Sequence, residues 1–390
     1  MGLNTQHILL LDDNTEQIDL IFSQLEAADL NDVRIISAFS CDQARQLMEN
    51  YHFALIIMNA DMCTGSDYLG QLVDRQFPHF IIAITKSEKF RELLRSGMSD
   101  VYAIVELQQR NRSFGGAVKC FLQRARLMEQ SVRYRESLET SLDELRADQE
   151  AARQVQQNML PAQDINFCGV HFQYSITPSL YLSGDFVDIA PLDEQRCLFY
   201  LADVSGHGAS SALVTVLLKN IMNRQLKNYR LGNSDNVLSP LKMLECLNKE
   251  LLDAQLGKHL TIFMAVLDCQ SQALTYAIGG HHPMPVLKQD GCSSFLAGRG
   301  MPIGLFEQPV FEEHSIRLSG SYELTLFSDG ILEILQEDSQ KEKESGLLEL
   351  LLENSFTANQ IKSRLIDKTS FRKGAIPDDV AIMTIHKPEL

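Results

Sequence analysis

The chain has 390 residues, a formal net charge of −16, and 45% hydrophobic against 22% charged residues. That balance suits folded globular units, enough for two domains and a connector, and it argues against nucleic acid or an anionic membrane as a partner held by charge. Eight cysteines occur without a C-x-x-C spacing, which excludes a zinc knuckle or dithiol motif and reads as reduced thiols. No signal-peptide pattern opens the chain, and no uncharged apolar run approaches the roughly 18 residues of a membrane span, so the expectation is a cytoplasmic protein.

Residues 1–115 alternate strand and helix. Apolar runs at His7–Leu11, Val33–Ser37, Ala54–Met58, Phe80–Thr85 and Val101–Val105 are separated by helical patterns such as Glu16–Ala27 and Cys41–Asn50. Near-continuous apolar strands imply a parallel sheet covered on both faces, and five of them fit a flavodoxin-like, doubly wound α/β domain. Residues 116–160 contain no proline. Positions Leu127, Ser131, Tyr134, Leu138, Ser141, Leu145, Asp148, Ala152, Val155 and Met159 step by four and three, and seven of the ten are apolar. This imperfect heptad seam predicts a long coiled-coil linker that pairs with a second copy of the chain, ended by Pro161. Basic residues Arg110, Arg112, Lys119, Arg124 and Arg126 read as a solvated helix face.

Residues 161–390 mix strands (Cys197–Ala202, Thr261–Leu267, Ala273–Ile278, Tyr322–Phe327, Val380–Ile385) with helices (Ser210–Leu226, Pro240–Leu252, Thr357–Thr369), an α+β pattern. The charged stretch Glu337–Ser345 reads as a mobile surface loop. Four acidic motifs stand out here: SGDFVD with Asp185 and Asp188, LADVSGHG with Asp203, LFSDG with Asp329, and PDDVAIM with Asp378 and Asp379. Each lies where an apolar strand begins or ends. Carboxylates aimed at one point repel unless a cation sits among them, and an all-oxygen set selects Mg²⁺ or Mn²⁺. One Asp-Gly pair alone is a turn signal; the set carries the argument. No G-x-S-x-G, H-E-x-x-H or phosphate-binding G-x-x-x-x-G-K-[ST] competes with it.

These residues resemble the PPM family of metal-dependent protein phosphatases, in its SpoIIE/RsbU-like branch. The resemblance rests on VQQNMLP (Val155–Pro161), SGDFVD, DVSGHG, GHHP (Gly280–Pro283), GMPIGLF (Gly300–Phe306), SDGILE and DDVAIM, in that order, with Ser183 and Val187 departing from a usual glycine and tyrosine. It implies a β-sandwich flanked by helices over residues 161–390 and two Mn²⁺ or Mg²⁺ ions. Asp203 would bridge the ions, the Val204 carbonyl would bind one, and Asp329 and Asp378 the other. Asp185 would act on the first ion directly or through water. Asp379 and Asp188 would take lesser positions, and Asp378 versus Asp379 stays open. Water activated between the ions would attack a phosphoserine or phosphothreonine in line. His207, His281 and His282 are each candidates for protonating the leaving oxygen or for a structural turn. The implied substrate is a phosphorylated anti-sigma factor antagonist in a partner-switching pathway. A silent scaffold that sequesters a partner is the competing reading.

The first 115 residues resemble a response-regulator receiver. Asp12 and Asp13 stand at the acidic pair and Thr85 at the hydroxyl position, but Asn59 occupies the phosphoacceptor position. Ala103, Ile104, Val105 and Glu106 fill the region where a lysine is expected. An amide is no nucleophile for phosphoryl transfer, so the expectation is a degenerate receiver that does not use aspartyl phosphate.

Overall fold

The computed structural model describes residues 5–28, 30, 32–62, 80–85, 101–105, 112–337, 339–353, 356–365 and 376–389. The chain forms two compact units, Met1–Asp143 and Glu144–Leu390.

In the first unit, β1 (Gln6–Leu11), β2 (Val33–Ala38), β3 (Leu55–Asn59), β4 (Phe80–Ile84) and β5 (Val101–Val105) form a parallel sheet in the order β2-β1-β3-β4-β5. That is the flavodoxin-like strand order. Helix α1 (Thr15–Glu26) starts at Asn14 and α2 (Cys41–Asn50) at Ser40, whose side chains accept from the backbone N–H three residues on. β3 and β4, and β1 from Ile8 on, are nearly all apolar because both their faces are buried, whereas the edge strand β2 is mostly half-buried and carries Arg34 and Ser37. Ile8, Leu10, Leu55 and Ile57 pack with Ile21 and Leu25 of α1, whereas Leu9, Leu11, Ile56 and Met58 pack with Ala44 of α2.

A 48-residue helix, α3 (Arg112–Met159), follows. Its early residues Phe114, Val118 and Leu122 are buried in the first unit. Farther on, Leu127, Tyr134, Leu138 and Leu145 are each more than half exposed. The helix ends just before Pro161, which cannot continue it.

The second unit stacks two antiparallel sheets. One has the order β14-β11-β10-β9-β8, built from β8 (Asp185–Pro191), β9 (Arg196–Val204), β10 (Leu260–Asp268), β11 (Ala273–Gly279) and β14 (Glu313–Arg317). The other has the order β13-β12-β15-β16-β7-β6, built from β6 (Asp164–Phe167), β7 (Val170–Thr177), β12 (Val286–Gln289), β13 (Cys292–Phe295), β15 (Tyr322–Phe327) and β16 (Val380–Lys387). Alternation along each strand sends one set of side chains, including Val187, Phe199, Phe263, Leu324 and Met383, into the core between the sheets. The opposite set on the first sheet packs against α4 (Ala209–Arg230) and α5 (Pro240–Ala254). The outer face of the second is covered by α6 (Gly330–Ile334), α7 (Gln340–Glu353) and α8 (Ala358–Leu365).

Helix α7 corrects the reading of Glu337–Ser345 as a loop. Ser339 Oγ accepts from the Glu342 N–H at 3.3 Å, and Glu342 Oε2 accepts from the Ser339 N–H at 3.2 Å. This is a capping box. Glu and Lys are good helix formers, and the buried Leu347 and Leu351 anchor the inner face. The far end of the expected helix Thr357–Thr369 lies outside the described residues.

Candidate functional site

Strands β8 and β9 pair antiparallel with Asp185 directly opposite Asp203. Both share the inter-sheet face with Val187 and Leu201, so two carboxylates look the same way from adjacent strand ends. Like charges in that position destabilise a sheet. Asp185 is 1% exposed; its Oδ2 accepts from Ser328 Oγ at 2.7 Å, and its Oδ1 has no partner among the described residues. Burial, and then the Asp203 charge, push the Asp185 carboxyl well above the usual range, against the Ser328 hydrogen bond. Asp203 is pushed up to about 8, first by burial and then by the charges of Asp329 and Asp378. A side-chain hydrogen bond between Asp203 and Asp329 favours the proton on Asp203 and lowers Asp329. Asp329, at the start of α6, is raised by burial and by Asp378, with partial relief from Asp203, the Gly330 N–H and His282.

The structure therefore gathers Asp185, Asp203, Asp329 and Asp378 at one edge of the sandwich, from four strand ends. Among the described residues, no three His, Cys, Asp or Glu side chains are closed to metal-ligand spacing. The donor chemistry nonetheless fits a divalent cation, since mutual repulsion and an orphaned buried carboxylate oxygen are both relieved by positive charge.

Close backbone packing brings these strand ends together. A Cβ on Gly184 would lie 2.9 Å from the Val204 carbonyl oxygen, and one on Gly330 would lie 2.1 Å from that of Asp379. The turn after Val204 is held by Lys258, whose Nζ donates to the Ser205 carbonyl at 2.8 Å and to Ser211 Oγ at 3.3 Å.

Two acidic residues depart from expectation. Asp379 Oδ1 accepts from the Ser179 N–H (2.6 Å) and hydroxyl (2.8 Å), and Oδ2 accepts from the Gly184 N–H (2.6 Å). Both oxygens are committed to fastening the loop that leads into β8. These bonds give Asp379 a loop-fastening role, while Asp378 raises the Asp203 carboxyl more than Asp379 does. Asp188 points to the opposite face of β8, where Lys219 Nζ donates to both its oxygens at 2.8 and 2.7 Å; it forms a buried ion pair away from the cluster.

Two supporting residues were not legible as such in the sequence. Gln156, near the end of α3, donates from Nε2 to the Ser183 carbonyl (2.7 Å) and to Thr215 Oγ1 (3.1 Å), and its Oε1 accepts from the Ser183 N–H (3.2 Å). Ser328 ties Asp185 to β16, whose Ala381 N–H donates to its Oγ at 2.8 Å. The only available signal was their place inside VQQNMLP and FSDG. Among the histidines, burial pushes His281 down to about 3, so it is neutral, and neither ring nitrogen has a partner among the described residues. His282 Nε2 lies 2.7 Å from Gln340 Nε2 and 3.3 Å from Glu344 Oε1. His207 is exposed in the turn before α4.

The profile of Stage II sporulation protein E (SpoIIE) matches residues 193–388. The chain belongs to the SpoIIE family. "Phosphoserine phosphatase RsbP" of Bacillus subtilis (strain 168) is 30% identical over 47% of this chain and 45% of its own length. "Phosphoserine phosphatase RsbU" of the same organism is 24% identical over 51% of this chain and 58% of its own. The chain thus spans about half the length of these curated relatives. The solved structure "SiaA-PP2C domain of Pseudomonas aeruginosa" has a TM-score of 0.52 at 17% identity, covering 63% of this chain and 97% of that one, which shows a common fold. The SpoIIE match contains Asp203, Asp329 and Asp378 but begins beyond β8, so Asp185 joins the set through strand pairing alone.

The first unit of this SpoIIE-family chain holds a second polar cluster, at the carboxyl ends of its strands. The fully buried Asp12 accepts at Oδ1 from Asn59 Nδ2 (3.1 Å) and from the Asn14 N–H (3.0 Å). Thr85 Oγ1 donates to Asp61 Oδ1 at 2.7 Å, and the Asp61 N–H donates to Asn59 Oδ1 at 3.1 Å. Asp61 is thus turned onto Thr85. Asp13 is exposed. Glu106 lies outside the described residues.

Proposed function

We propose that this chain is a metal-dependent protein phosphatase that hydrolyses phosphoserine or phosphothreonine. Its substrate in this reading is a phosphorylated anti-sigma factor antagonist of a partner-switching pathway, in keeping with the phosphoserine phosphatases it resembles. The observation that carries the reading is the buried Asp185 carboxylate, with one oxygen unpartnered among the described residues, facing Asp203 with Asp329 and Asp378 alongside. A scaffold would gain nothing from holding like charges together out of water.

Asp203, Asp329, Asp378, Asp185 and the Val204 carbonyl would hold two Mn²⁺ or Mg²⁺ ions. When bound, the ions supply positive charge for the phosphoryl oxygens and acidify water. The chain does the rest. Ser328 fixes Asp185 so that its other oxygen faces the cluster. Asp379 fastens residues 179–184 so that Gly184 can press against Val204. Lys258 and Ser211 hold the Ser205 turn, which fixes where the Val204 carbonyl points.

In this reading residues 1–115 are a receiver-like regulatory domain and residues 116–160 a paired helix making a homodimer. The exposed Leu127, Tyr134, Leu138 and Leu145 support a pairing seam. The Asn59–Asp12 hydrogen bond supports a receiver closed to aspartyl phosphate, because the acceptor position holds an amide already bonded to the acidic pair. Gln156 gives the helix a direct hold on the residue before Gly184.

The test is dephosphorylation of a phosphoserine antagonist protein by the purified chain with Mn²⁺ titrated in. Asp203→Asn should lose at least about 100-fold in turnover with its circular dichroism unchanged. Near-normal turnover by that variant overturns the ligand assignment. An inactive unaltered chain at saturating Mn²⁺ and Mg²⁺ overturns the phosphatase reading.

A further inference from the structure

Three thiols meet at the end of the sandwich opposite the aspartates. Cys168 is the first residue of the two-residue turn between β6 and β7. It has φ +53° and Gly169 has φ +77°, the left-handed pair that a tight hairpin demands and that Asn, Asp or Gly normally supplies. A cysteine there has no conformational advantage, and such outliers call for a chemical reason. Its side chain is exposed, and Sγ donates to the Glu194 carbonyl at 3.1 Å. The next carbonyl, that of Gln195, accepts from the Cys269 N–H at 2.9 Å. Successive carbonyls of the β8–β9 turn thus hold a cysteine from each sheet.

Those adjacent carbonyls bring Cys269 beside Cys168, whose thiol is among the groups that raise that of Cys269. Cys269 packs on the core between the sheets, where Cys197 is fully buried on the adjoining strand. Burial pushes the thiols of Cys197 and Cys269 up to about 12, so both stay protonated and neither starts a reaction. Cys168 is the thiol that solvent reaches.

We propose that Cys168 and Cys269 are a reversible oxidation site for a hydroperoxide, closing a disulfide that staples one sheet to the other. Cys168 Sγ attacks the peroxide oxygen; the O–O bond breaks, water or an alcohol leaves, and Cys168 becomes a sulfenic acid. Cys269 Sγ then attacks that sulfur. The S–O bond breaks and a second water leaves, carrying the Cys269 proton. Two thiols lose two electrons and one hydroperoxide gains them. The site is remote from the aspartates and independent of the phosphatase reading.

Hydrogen peroxide is added to the full chain, followed by alkylation and unreduced peptide mapping. The expected result is a Cys168–Cys269 peptide pair lighter by two hydrogens, the loss of two alkylatable thiols, a raised Tm, and full reversal by dithiothreitol. Cys168→Ser should lose the link and the Tm shift together while keeping the reduced protein's Tm. In Cys269→Ser, Cys168 should stop as a sulfenic acid that dimedone traps. The proposal is overturned by a link to Cys197 or any other cysteine. It is equally overturned by Cys168 passing to sulfinic acid without a link in the unaltered chain, or by an unchanged thiol count.

Discussion

Removing divalent cations should make the second unit lose stability as pH rises, which is opposite to the behaviour of a salt-bridged carboxylate. An unfolded aspartate titrates near 3.9, whereas folded Asp203 is raised to about 8. Between those values the folded chain holds a proton that the unfolded chain has released. Linkage then lowers the unfolding free energy by up to about 1.4 kcal/mol for each pH unit. For a unit of this size that is about 3–6 °C in Tm per pH unit. Asp185 and Asp329 are displaced in the same direction and steepen the slope. A bound divalent cation replaces the protons, so the slope should flatten at saturating Mn²⁺, and the Mn²⁺-induced gain in Tm should grow from pH 5 to pH 8. Calorimetry at four pH values, with EDTA or with Mn²⁺, reads both effects, and Asp203→Asn should weaken the EDTA slope. A cation-free Tm that climbs across this window, or identical slopes in the two series, refutes the reasoning.

Three further perturbations follow from named contacts. Gly330→Ala puts a methyl 2.1 Å from the Asp379 carbonyl; overpacking at backbone costs about 1–3 kcal/mol, and urea unfolding should show it together with a weaker Mn²⁺ response. Gln156→Ala strands the buried Ser183 carbonyl and N–H, which should lower stability by about 1–3 kcal/mol in the same assay. Incubation with acetyl phosphate should leave the first unit unmodified, since Asn59 is bonded to Asp12; a stable, Asp12-dependent phosphoprotein by mass spectrometry contradicts this.

The parallel sheet was legible because β1, β3 and β4 are buried on both faces, which forbids polar interruptions. The aspartate cluster was legible because each member ends or begins an apolar strand. What escaped was whatever depends on side-chain direction. Asp188 and Asp185 are three residues apart in a strand, and the two-residue alternation sends them to opposite faces, one to Lys219 and one to the cluster. Asp378 and Asp379 are adjacent and equally acidic; only the Ser179 and Gly184 donors separate their roles. The helix α7 was hidden by its charge, although Ser339 and Glu342 already spelled its capping box.

Strand β16 lies between β15 and β7, yet about 200 residues separate it from β7 along the chain. During synthesis β8 and β9 emerge long before it, with Asp185 and Asp203 set against each other and Asp379 not yet available to draw in residues 179–184. Pairings across such sequence distances form slowly. A ribosome-bound fragment that stops short of β16 should therefore lack the phosphatase activity proposed above, and the order of translation itself sets the moment at which the cluster can be completed.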